Sequence, residues 1–262
     1  MLLVSNRLPV TISSTPEGHT LVPSSGGLAS ALREYHESGD GRWIGWLGDT
    51  SSLDDKAVSE LFEEAKQKRL TPVNLSAEEV SLFYDGYSNA VLWPLFHFLL
   101  DKVQLEASEE WLAYTRVNER FADAVASQVE GLATVWVHDY QLMLVPSLLR
   151  QRARGTRIGF FLHIPWPSSD VFRILPSRAE ILAGLMGADL IGFHTDNDRQ
   201  NFIHSAAEVL GVDYGTSSLR WQNREVQLGV YPIGIDVPSF TKQSEHIEAL
   251  TAQMHTANAI SN

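Results

Sequence analysis

The segment RIGFFLHIPWP, residues 157–167, indicates the fold class because its apolar residues are continuous rather than alternating. A strand that is covered on both faces has this pattern, and such strands are typical of parallel sheets. The apolar run ends at His163, and the prolines that follow cannot continue a central strand. We therefore interpret the segment as an inner strand with an ionisable side chain at its carboxyl end.

Five further segments share this β-rich and mostly continuous apolar pattern. They are LLVS (2–5), RWIGWL (42–47), ATVWVHD (133–139), DLIGFHT (189–195) and EVQLGVYPIGID (225–236). Helical patterns lie between them, most clearly at residues 106–129, where apolar side chains recur at spacings of three and four. That stripe consists of Trp111, Tyr114, Val117, Phe121 and Val125. Strands and helices in alternation predict an α/β fold with a doubly wound, mostly parallel sheet.

Local signals predict two helix starts and one loop. Ser76 with Glu79, and Ser177 with Glu180, have the spacing of capping boxes at helix N-termini. Residues 8–25 are rich in Thr, Ser, Pro and Gly, and we predict a long mobile loop there.

Composition limits which kinds of partner and which cellular compartment are expected. The chain has 262 residues, 20 basic against 32 acidic side chains, and a net charge of -12, which argues against nucleic acid or an anionic membrane as partner. An anionic small molecule stays compatible, because its site needs only a few local cations. The chain has no cysteine, which excludes disulfides and thiolate metal sites. Its first residues become polar at Ser5 and no apolar run approaches a membrane span, so we expect a cytoplasmic protein.

Polar side chains follow several of the predicted strands, at the edge of a parallel sheet where ligands bind. Arg7 follows the first strand, and Asp139 and His163 each follow an apolar run on strands predicted to be neighbours. Packing does not explain two ionisable groups in such positions, so we interpret Asp139 and His163 as site residues. His194 and Asp196 are interpreted as a satisfied polar residue and a helix N-cap.

Two clusters outside the strands are also candidates for ligand contacts. The segment FYDGYSNAVLWPLFHF (83–98) contains Tyr84, with a hydroxyl donor, and Trp93, with a flat ring. Sites for sugars and phosphates use such groups. In SSGGLASAL (24–32), a glycine pair ending at Gly27 opens a helix, and backbone N–H groups there suit a phosphate. The pattern is neither a G-x-G-x-x-G nor a P-loop, so it specifies no nucleotide by itself.

Seven motifs, in chain order, resemble those of trehalose-6-phosphate synthases. They are SNRLPV, SSGGLASAL, DGYSNAVLWPLFH, WVHDYQLMLVP, GFFLHIPWPS, GFHTDNDRQNF and VYPIGID. The resemblance implies a retaining glycosyltransferase of the B type, in which two Rossmann-like domains face across a cleft. It also implies transfer of glucose from UDP-glucose to glucose 6-phosphate. We expect residues 1–238 to form the N-terminal acceptor domain and residues 239–262 a helix that leads to an absent donor domain, so the chain alone is expected to be inactive.

The resemblance further implies roles for residues on the acceptor side. Arg7 is expected to hold the acceptor phosphate with the fork of its guanidinium, and Tyr84 to add a hydroxyl bond to the same phosphate. Trp93 is expected to pack against the acceptor sugar, and Trp46 to line the acceptor side. Asp139 is expected to bind acceptor hydroxyls and to orient the attacking one.

On the donor side, the resemblance implies that Gly27 approaches the diphosphate and that His163 lies beside the donor sugar. A retaining transfer uses either a carboxylate nucleophile or a front-face route in which the leaving diphosphate takes the acceptor proton. The front-face route is the usual proposal for the family, and the protein then contributes positioning and charge stabilisation. His163 is expected to donate a hydrogen bond without titrating. No metal and no cofactor are expected.

Three alternatives stay open at this point. A transferase similar to glucosylglycerol-phosphate synthase would use another phosphorylated acceptor. A noncatalytic subunit would bind sugar phosphates for regulation. A metal-dependent hydrolase would use His138, Asp139 and His163, but the chain has no H-x-x-x-H and no carboxylate-rich ligand spacing. The sequence also leaves homo-oligomerisation open.

Overall fold

The structure, a computed structural model, describes residues 1–16, 18–24, 27–39, 41–129 and 133–234. The chain divides into two compact units, residues 1–232 and 233–262. All elements with assigned bounds lie in the first unit. The helix expected at residues 239–262, and the end of the strand expected at 225–236, lie outside the described residues.

Eleven strands occur in the described part of the chain. They are β1 (Leu2–Arg7), β2 (Val10–Thr15), β3 (Gly18–Pro23), β4 (Arg42–Trp46), β5 (Leu70–Val73), β6 (Thr134–His138), β7 (Arg157–Phe161), β8 (Leu190–Phe193), β9 (Asp213–Tyr214), β10 (Ser218–Trp221) and β11 (Arg224–Val230).

The helices between them differ in type and length. The α-helices are α1 (Gly27–Ser38), α2 (Asp55–Gln67), α3 (Ala77–Glu79), α4 (Trp93–Phe96), α5 (Ser108–Ala126), α6 (Val145–Arg152), α7 (Ser169–Phe172), α8 (Arg178–Leu185) and α9 (Asp196–Leu210). A π-helix occupies Val80–Leu92, and 3-10 helices occupy Leu100–Lys102 and Tyr140–Leu142. The described helices include none that is long and apolar enough to cross a membrane.

The main sheet has nine strands in the order β5-β4-β1-β6-β7-β8-β11-β10-β9. The seven strands from β5 to β11 pair in parallel, whereas β10 and β9 add an antiparallel edge. The chain starts in the middle of the sheet, extends to one side through β4 and β5, and then returns to β6 on the other side. This doubly wound, Rossmann-like order confirms the predicted fold class. It creates a topological switch point between β1 and β6, where the crossovers diverge.

Helices cover both faces of this sheet, which explains the continuous apolar runs. Val4 and Ile44 belong to a large cluster of buried side chains on one face, and Leu3 and Trp43 to a smaller cluster on the other. Neighbouring residues on β1 and β4 therefore serve opposite cores, because successive side chains of a strand point to opposite faces.

The prediction of a loop at residues 8–25 is wrong, since β2 and β3 form a separate antiparallel hairpin. The hairpin is anchored to α2. The backbone N–H of Leu21 donates to Glu64 Oε2 at 3.1 Å, and Lys68 Nζ donates to the Leu21 carbonyl at 3.1 Å. Lys68 also forms an ion pair with Glu64 at 2.8 Å. These contacts come from a helix more than 40 residues away, which local composition cannot reveal.

Only one of the two predicted capping boxes is present among the described helices. At Ser76 the box is complete, with Glu79 N–H donating to Ser76 Oγ and Ser76 N–H donating to Glu79 Oε2. Ser177 precedes α8 but makes no capping bond, so the predicted box with Glu180 is wrong. The Ser177 hydroxyl instead forms a hydrogen bond with the buried hydroxyl of Tyr87. Ser177 thus pairs with a side chain distant in the sequence rather than with the backbone of its own helix.

Candidate active site

A cavity of about 510 Å³ lies at the switch point, beyond the carboxyl ends of β1 and β6. Four of the seven predicted site residues line it: Arg7 at the end of β1, Gly27 at the start of α1, Tyr84 on the π-helix and Asp139 after β6. The hairpin of β2 and β3 contributes a further wall. Segments that are far apart in the sequence therefore form one concave site.

Arg7 supplies a cation that is held by aromatic rings rather than by carboxylates. Its guanidinium carbon lies 4.7 Å from the ring centroid of Trp46 and 5.6 Å from that of Tyr84. Parallel pairing of β1 with β4 places Arg7 opposite Trp46, which explains the first contact. No ion pair among the described residues involves Arg7. Cation–π contacts orient a guanidinium without neutralising its charge, so Arg7 stays available to an anion.

Trp46 lies beneath Arg7 and does not line the cavity. Its side chain is buried in the larger core cluster, and the residue is 3% exposed. Trp46 is expected to line the acceptor side, but its side chain forms no part of the cavity wall. The ring instead supports the guanidinium of Arg7 from the core side.

Asp139 combines an unusual backbone with a partly buried carboxylate. Its φ of 75° and ψ of 168° lie in a region that residues other than glycine rarely adopt. Its N–H donates to the Phe161 carbonyl at 2.8 Å, which continues the β6–β7 ladder. Its Oδ1 accepts the backbone N–H of His163 at 3.2 Å. Burial raises the pKa of the Asp139 carboxyl to about 6, although hydrogen bonds from the backbone N–H groups of Tyr140 and His163 oppose the shift.

His163 follows β7 and contacts the cavity wall through Asp139, but it does not line the cavity itself. Its Nε2 lies 3.0 Å from Nδ1 of His138, the last residue of β6. Burial, and then the charge of His194, lower the pKa of His163 to about 4. Burial also lowers the pKa of His138 well below its ordinary value. Both rings are therefore neutral near pH 7.

The loop after His163 is attached to α9. The backbone N–H of Trp166 donates to Asp198 Oδ1 at 3.0 Å, and its indole N–H donates to Ser205 Oγ at 3.0 Å. Thr195 is the N-cap of α9, and its Oγ1 accepts the N–H of Asp198 at 3.2 Å. The prediction of Asp196 as N-cap is therefore wrong by one residue. The first turn of α9 fixes the loop that carries His163.

Trp93 is separate from the other candidates. It begins α4, is 40% exposed and stacks on His97 with ring centroids 4.1 Å apart. It does not line the cavity. The π-helix before it carries Tyr84, and the N–H of Trp93 donates to the Ser88 carbonyl, five residues back. Such wide turns are frequent at functional sites, but no sequence signal distinguishes them from α-helix.

The cavity also contains two polar residues that the sequence reasoning did not select. Asn6 and Gln141 both line it and are both buried. Asn6 Oδ1 has no hydrogen-bond partner among the described residues. Asn6 directly precedes Arg7 at the end of β1, and this position is the signal that could have identified it. Within the described residues, no group of three or more His, Asp or Glu side chains could hold a metal ion.

Comparisons with known proteins agree with this architecture. The model of glycosyltransferase family 20 matches residues 1–257. The 56 kDa subunit of alpha,alpha-trehalose-phosphate synthase (UDP-forming) from Saccharomyces cerevisiae is 39% identical over 249 residues, covering 92% of this chain and 50% of the relative.

Two solved structures show the same fold. The N-terminal domain of Candida albicans trehalose-6-phosphate phosphatase aligns with a TM-score of 0.81 and 30% identity, over 96% of this chain and 53% of the other. A structure described as "Trehalose-6-phosphate from E. coli bound with UDP-2-fluoro glucose" aligns with a TM-score of 0.74 and 30% identity, over 97% of this chain and 55% of the other. The chain thus spans about half the length of these proteins.

Proposed function

The chain belongs to glycosyltransferase family 20, and on that basis we propose that the cavity is the acceptor site of a trehalose-6-phosphate synthase. It binds glucose 6-phosphate, to which glucose is transferred from UDP-glucose with retention of configuration. The similarity to a UDP-forming synthase supports this activity. The site requires no metal or cofactor, because the leaving diphosphate and the positioned side chains supply the chemistry.

The unpaired guanidinium of Arg7 is the observation that carries the proposal. The chain has a net charge of -12, yet this cation lines the cavity with no carboxylate partner among the described residues. A phosphate group matches the planar fork of a guanidinium through two parallel hydrogen bonds. Tyr84 lines the same cavity, and its hydroxyl is proposed to add a third donor. Together they favour a phosphorylated acceptor.

Asp139 is proposed to orient the attacking hydroxyl of the acceptor. With a pKa of about 6 the carboxylate is mostly ionised at pH 7 and accepts a hydrogen bond from a sugar hydroxyl. It lines the same cavity as Arg7, so phosphate and hydroxyl are held at once. In a front-face transfer this positioning lowers the barrier, and the acceptor proton passes to the leaving diphosphate.

Gly27 is proposed to lie beside that diphosphate. It begins α1 at the cavity, and a Cβ built on it would meet nothing within 4 Å. The backbone at a helix N-terminus favours anions through its free N–H groups and its dipole. Ser25 and Gly26, which complete the predicted motif, lie outside the described residues.

Trp93 is proposed to contact the acceptor directly, and Trp46 is proposed to act on it indirectly. Trp93 presents a partly exposed ring, stacked on His97, against which the sugar packs. Trp46 acts through Arg7, because it contacts the guanidinium from the core. His163 is proposed to face the donor glucose.

We further propose that residues 1–238 form the acceptor domain, with residues 239–262 leading to a donor domain that holds the nucleotide. The chain spans about half the length of its relatives, which supports this division. The isolated chain is then expected to give no turnover of glucose 6-phosphate and UDP-glucose. Steady turnover by the purified chain would contradict the division. The cytoplasmic location and homo-oligomerisation stay predictions.

The similarity to the N-terminal domain of a Candida albicans phosphatase favours one second candidate. That candidate is a domain that binds sugar phosphates without transferring glucose. A synthase acting on another phosphorylated acceptor, such as glycerol 3-phosphate, is distinguished by its ligand preference.

Calorimetric titration of the chain with glucose 6-phosphate, glycerol 3-phosphate and UDP-glucose tests the proposal. We expect weak binding of glucose 6-phosphate, at least tenfold weaker binding by Arg7→Ala, and an intermediate loss in Arg7→Lys, which keeps the charge but not the fork. Arg220→Ala, an exposed arginine on β10, is the control and should bind like the parent chain. Equal binding by the parent and Arg7→Ala would remove Arg7 from the site. A preference for glycerol 3-phosphate would favour the other acceptor.

A further inference from the structure

A second cavity, of about 390 Å³, lies between the base of the hairpin, α1 and the start of β5, and the proposed function does not use it. Among the described residues, Val10 and Pro23 alone line both cavities. Arg7, Tyr84 and Asp139 belong to the acceptor cavity and do not line the second one. The two cavities are therefore neighbours with different polar side chains.

The second cavity carries more positive than negative charge. Its charged side chains are Arg33, Lys68, Arg69 and Glu37, and Glu37 is exposed. Lys68 is paired with Glu64, as described above. No ion pair among the described residues involves Arg33 or Arg69. Two arginines without a carboxylate partner thus line one concave surface, although the chain has a net charge of -12.

Backbone carbonyl groups hold both arginines in place. Arg33 Nη2 donates to the Ser24 carbonyl at 2.6 Å. Arg69 Nη2 donates to the His36 carbonyl at 2.9 Å, and its Nη1 donates to the Gly39 carbonyl, beyond the end of α1. A carbonyl group orients a guanidinium but does not neutralise its charge. Because a guanidinium has five N–H donors, each arginine has donors left for an anion.

His36 supplies an independent sign that a ligand belongs in this cavity. It lines the cavity, is 7% exposed and packs edge-on against Trp43. Its Nε2 lies 3.1 Å from the Lys68 carbonyl, and a carbonyl only accepts, so Nε2 carries a proton. Its Nδ1 is buried and has no hydrogen-bond partner among the described residues. A buried polar atom without a partner costs free energy, which a bound group can recover.

We propose that this cavity is a second anion site, which binds the phosphate group of a small phosphorylated metabolite through Arg33, Arg69 and His36. The planar fork of a guanidinium matches phosphate oxygens, and the volume is in the range of small-molecule sites. The acidic chain argues against a nucleic acid or an anionic membrane as the source of the phosphate. The site is independent of the proposed function, because it does not use Arg7, Tyr84 or Asp139.

Titration of the Arg7→Ala chain with inorganic phosphate isolates this cavity, because the variant lacks the arginine of the acceptor cavity. We expect saturable binding in ¹H–¹⁵N NMR, with the largest shifts in the side chains of Arg33, Arg69 and His36. Potassium chloride at the same ionic strength should leave these resonances unchanged, which separates binding from screening. Loss of saturable binding in this variant, or shifts confined to the acceptor cavity, would overturn the proposal.

A second substitution in the Arg7→Ala chain tests the role of Arg33. Arg33→Gln should weaken phosphate binding at least tenfold, and Arg33→Lys, which keeps the charge but not the fork, should have an intermediate effect. Arg116→Gln is the matched control, because Arg116 is exposed on α5 and its loss changes the net charge equally. Equal weakening by Arg33→Gln and Arg116→Gln would show general attraction of anions and refute a site.

The titration of His36 gives a readout in the chain without any substitution. Burial, and then the charge of Arg69, lower the pKa of His36, whereas the Lys68 carbonyl and Glu37 oppose this. Saturating sulfate, which does not itself titrate near neutral pH, should raise the pKa of His36, because a nearby anion favours the imidazolium. His204, exposed on α9, reports the general effect of the salt. A change no larger at His36 than at His204 would contradict the proposal.

Discussion

Asp139 in the candidate site has a backbone conformation and an environment that both lower the stability of the native state. A residue other than glycine at φ 75° and ψ 168° costs of order 1 to 3 kcal/mol, and burial of its carboxylate adds a penalty for the charged form. The backbone hydrogen bonds with Phe161 and His163 hold this conformation between β6 and β7. Such strain is typical of residues that must point a side chain into a site.

The charge of Asp139 predicts a pH-dependent gain in stability for Asp139→Asn. The folded-state pKa of about 6 lies above the ordinary value of 3.8, so the native state binds the proton more tightly than the unfolded chain. The carboxyl group therefore destabilises the native state increasingly as the pH rises from about 4 to 6. At pH 7.5 we expect the substitution to raise the free energy of unfolding by about 2 kcal/mol, with the gain vanishing near pH 4. Urea denaturation at several pH values measures it.

In the same experiment, His138 and His163 have the opposite effect on how the stability of the native state changes with pH. Their folded-state pKa values are lowered, so the unfolded chain binds more protons and stability falls as the pH drops below 6.5. Because both proteins contain these histidines, their contribution cancels from the difference between Asp139→Asn and the parent chain. A gain of equal size at pH 4 and pH 7.5 would show that the carboxylate is not desolvated.

At the scale of elements, the first turn of α9 holds the loop after β7 in place through hydrogen bonds. Asp198 is buried, accepts the N–H of Trp166 and receives the hydroxyl of Thr195 at 2.5 Å. These hydrogen bonds fix the direction of the chain after His163. The aromatic ring of Trp166 packs on Phe202, which lies on the same helix. Helix and loop form one packed unit.

We expect Asp198→Ala to lower the free energy of unfolding by about 1 to 3 kcal/mol, because buried donors lose their acceptor. Asp196→Ala is the control, since Asp196 lies in the same helical turn but is exposed and, in the part of the chain that the structure describes, pairs only with Arg199. That surface pair should contribute less than about 1 kcal/mol. Urea denaturation of both variants gives the comparison, and equal losses would mean that Asp198 acts merely through the helix dipole.

At the scale of the whole molecule, the sheet order brings distant segments to one cavity. The chain returns to the middle of the sheet after β5, so the end of β6 lies beside the end of β1. The hairpin of β2 and β3 and the π-helix complete the wall. The cavity therefore depends on β1, the hairpin and the start of α1, all within the first 38 residues, as well as on residues 80–141.

A ligand in this cavity should protect those elements together. Hydrogen exchange of the chain with and without glucose 6-phosphate is expected to slow most in β2, β3 and the π-helix, and least in β9 and β10 at the far edge of the sheet. Arg7→Ala should abolish the difference. Uniform slowing across all these elements would indicate general stabilisation instead of binding at the cavity.

The central strands could be predicted because burial on both faces leaves a continuous apolar run, as in β7. The hairpin could not, because β2 and β3 are mostly exposed and lack such a run. The strand β5, Leu70–Val73, contains Pro72, which argues locally against a strand. It is tolerated because β5 lies at the edge of the sheet and pairs on one side only.

The sequence by itself determined the fold class and the chemistry at the strand ends, because apolar periodicity and residue type are local properties. It thus predicted that Arg7, Asp139 and His163 lie at the carboxyl ends of strands, as they do after β1, β6 and β7. Only the tertiary structure decided which groups meet: Trp46 beneath Arg7, and His138 against His163. Strand order and register bring these residues together, and both arise from packing between segments that are distant in the chain.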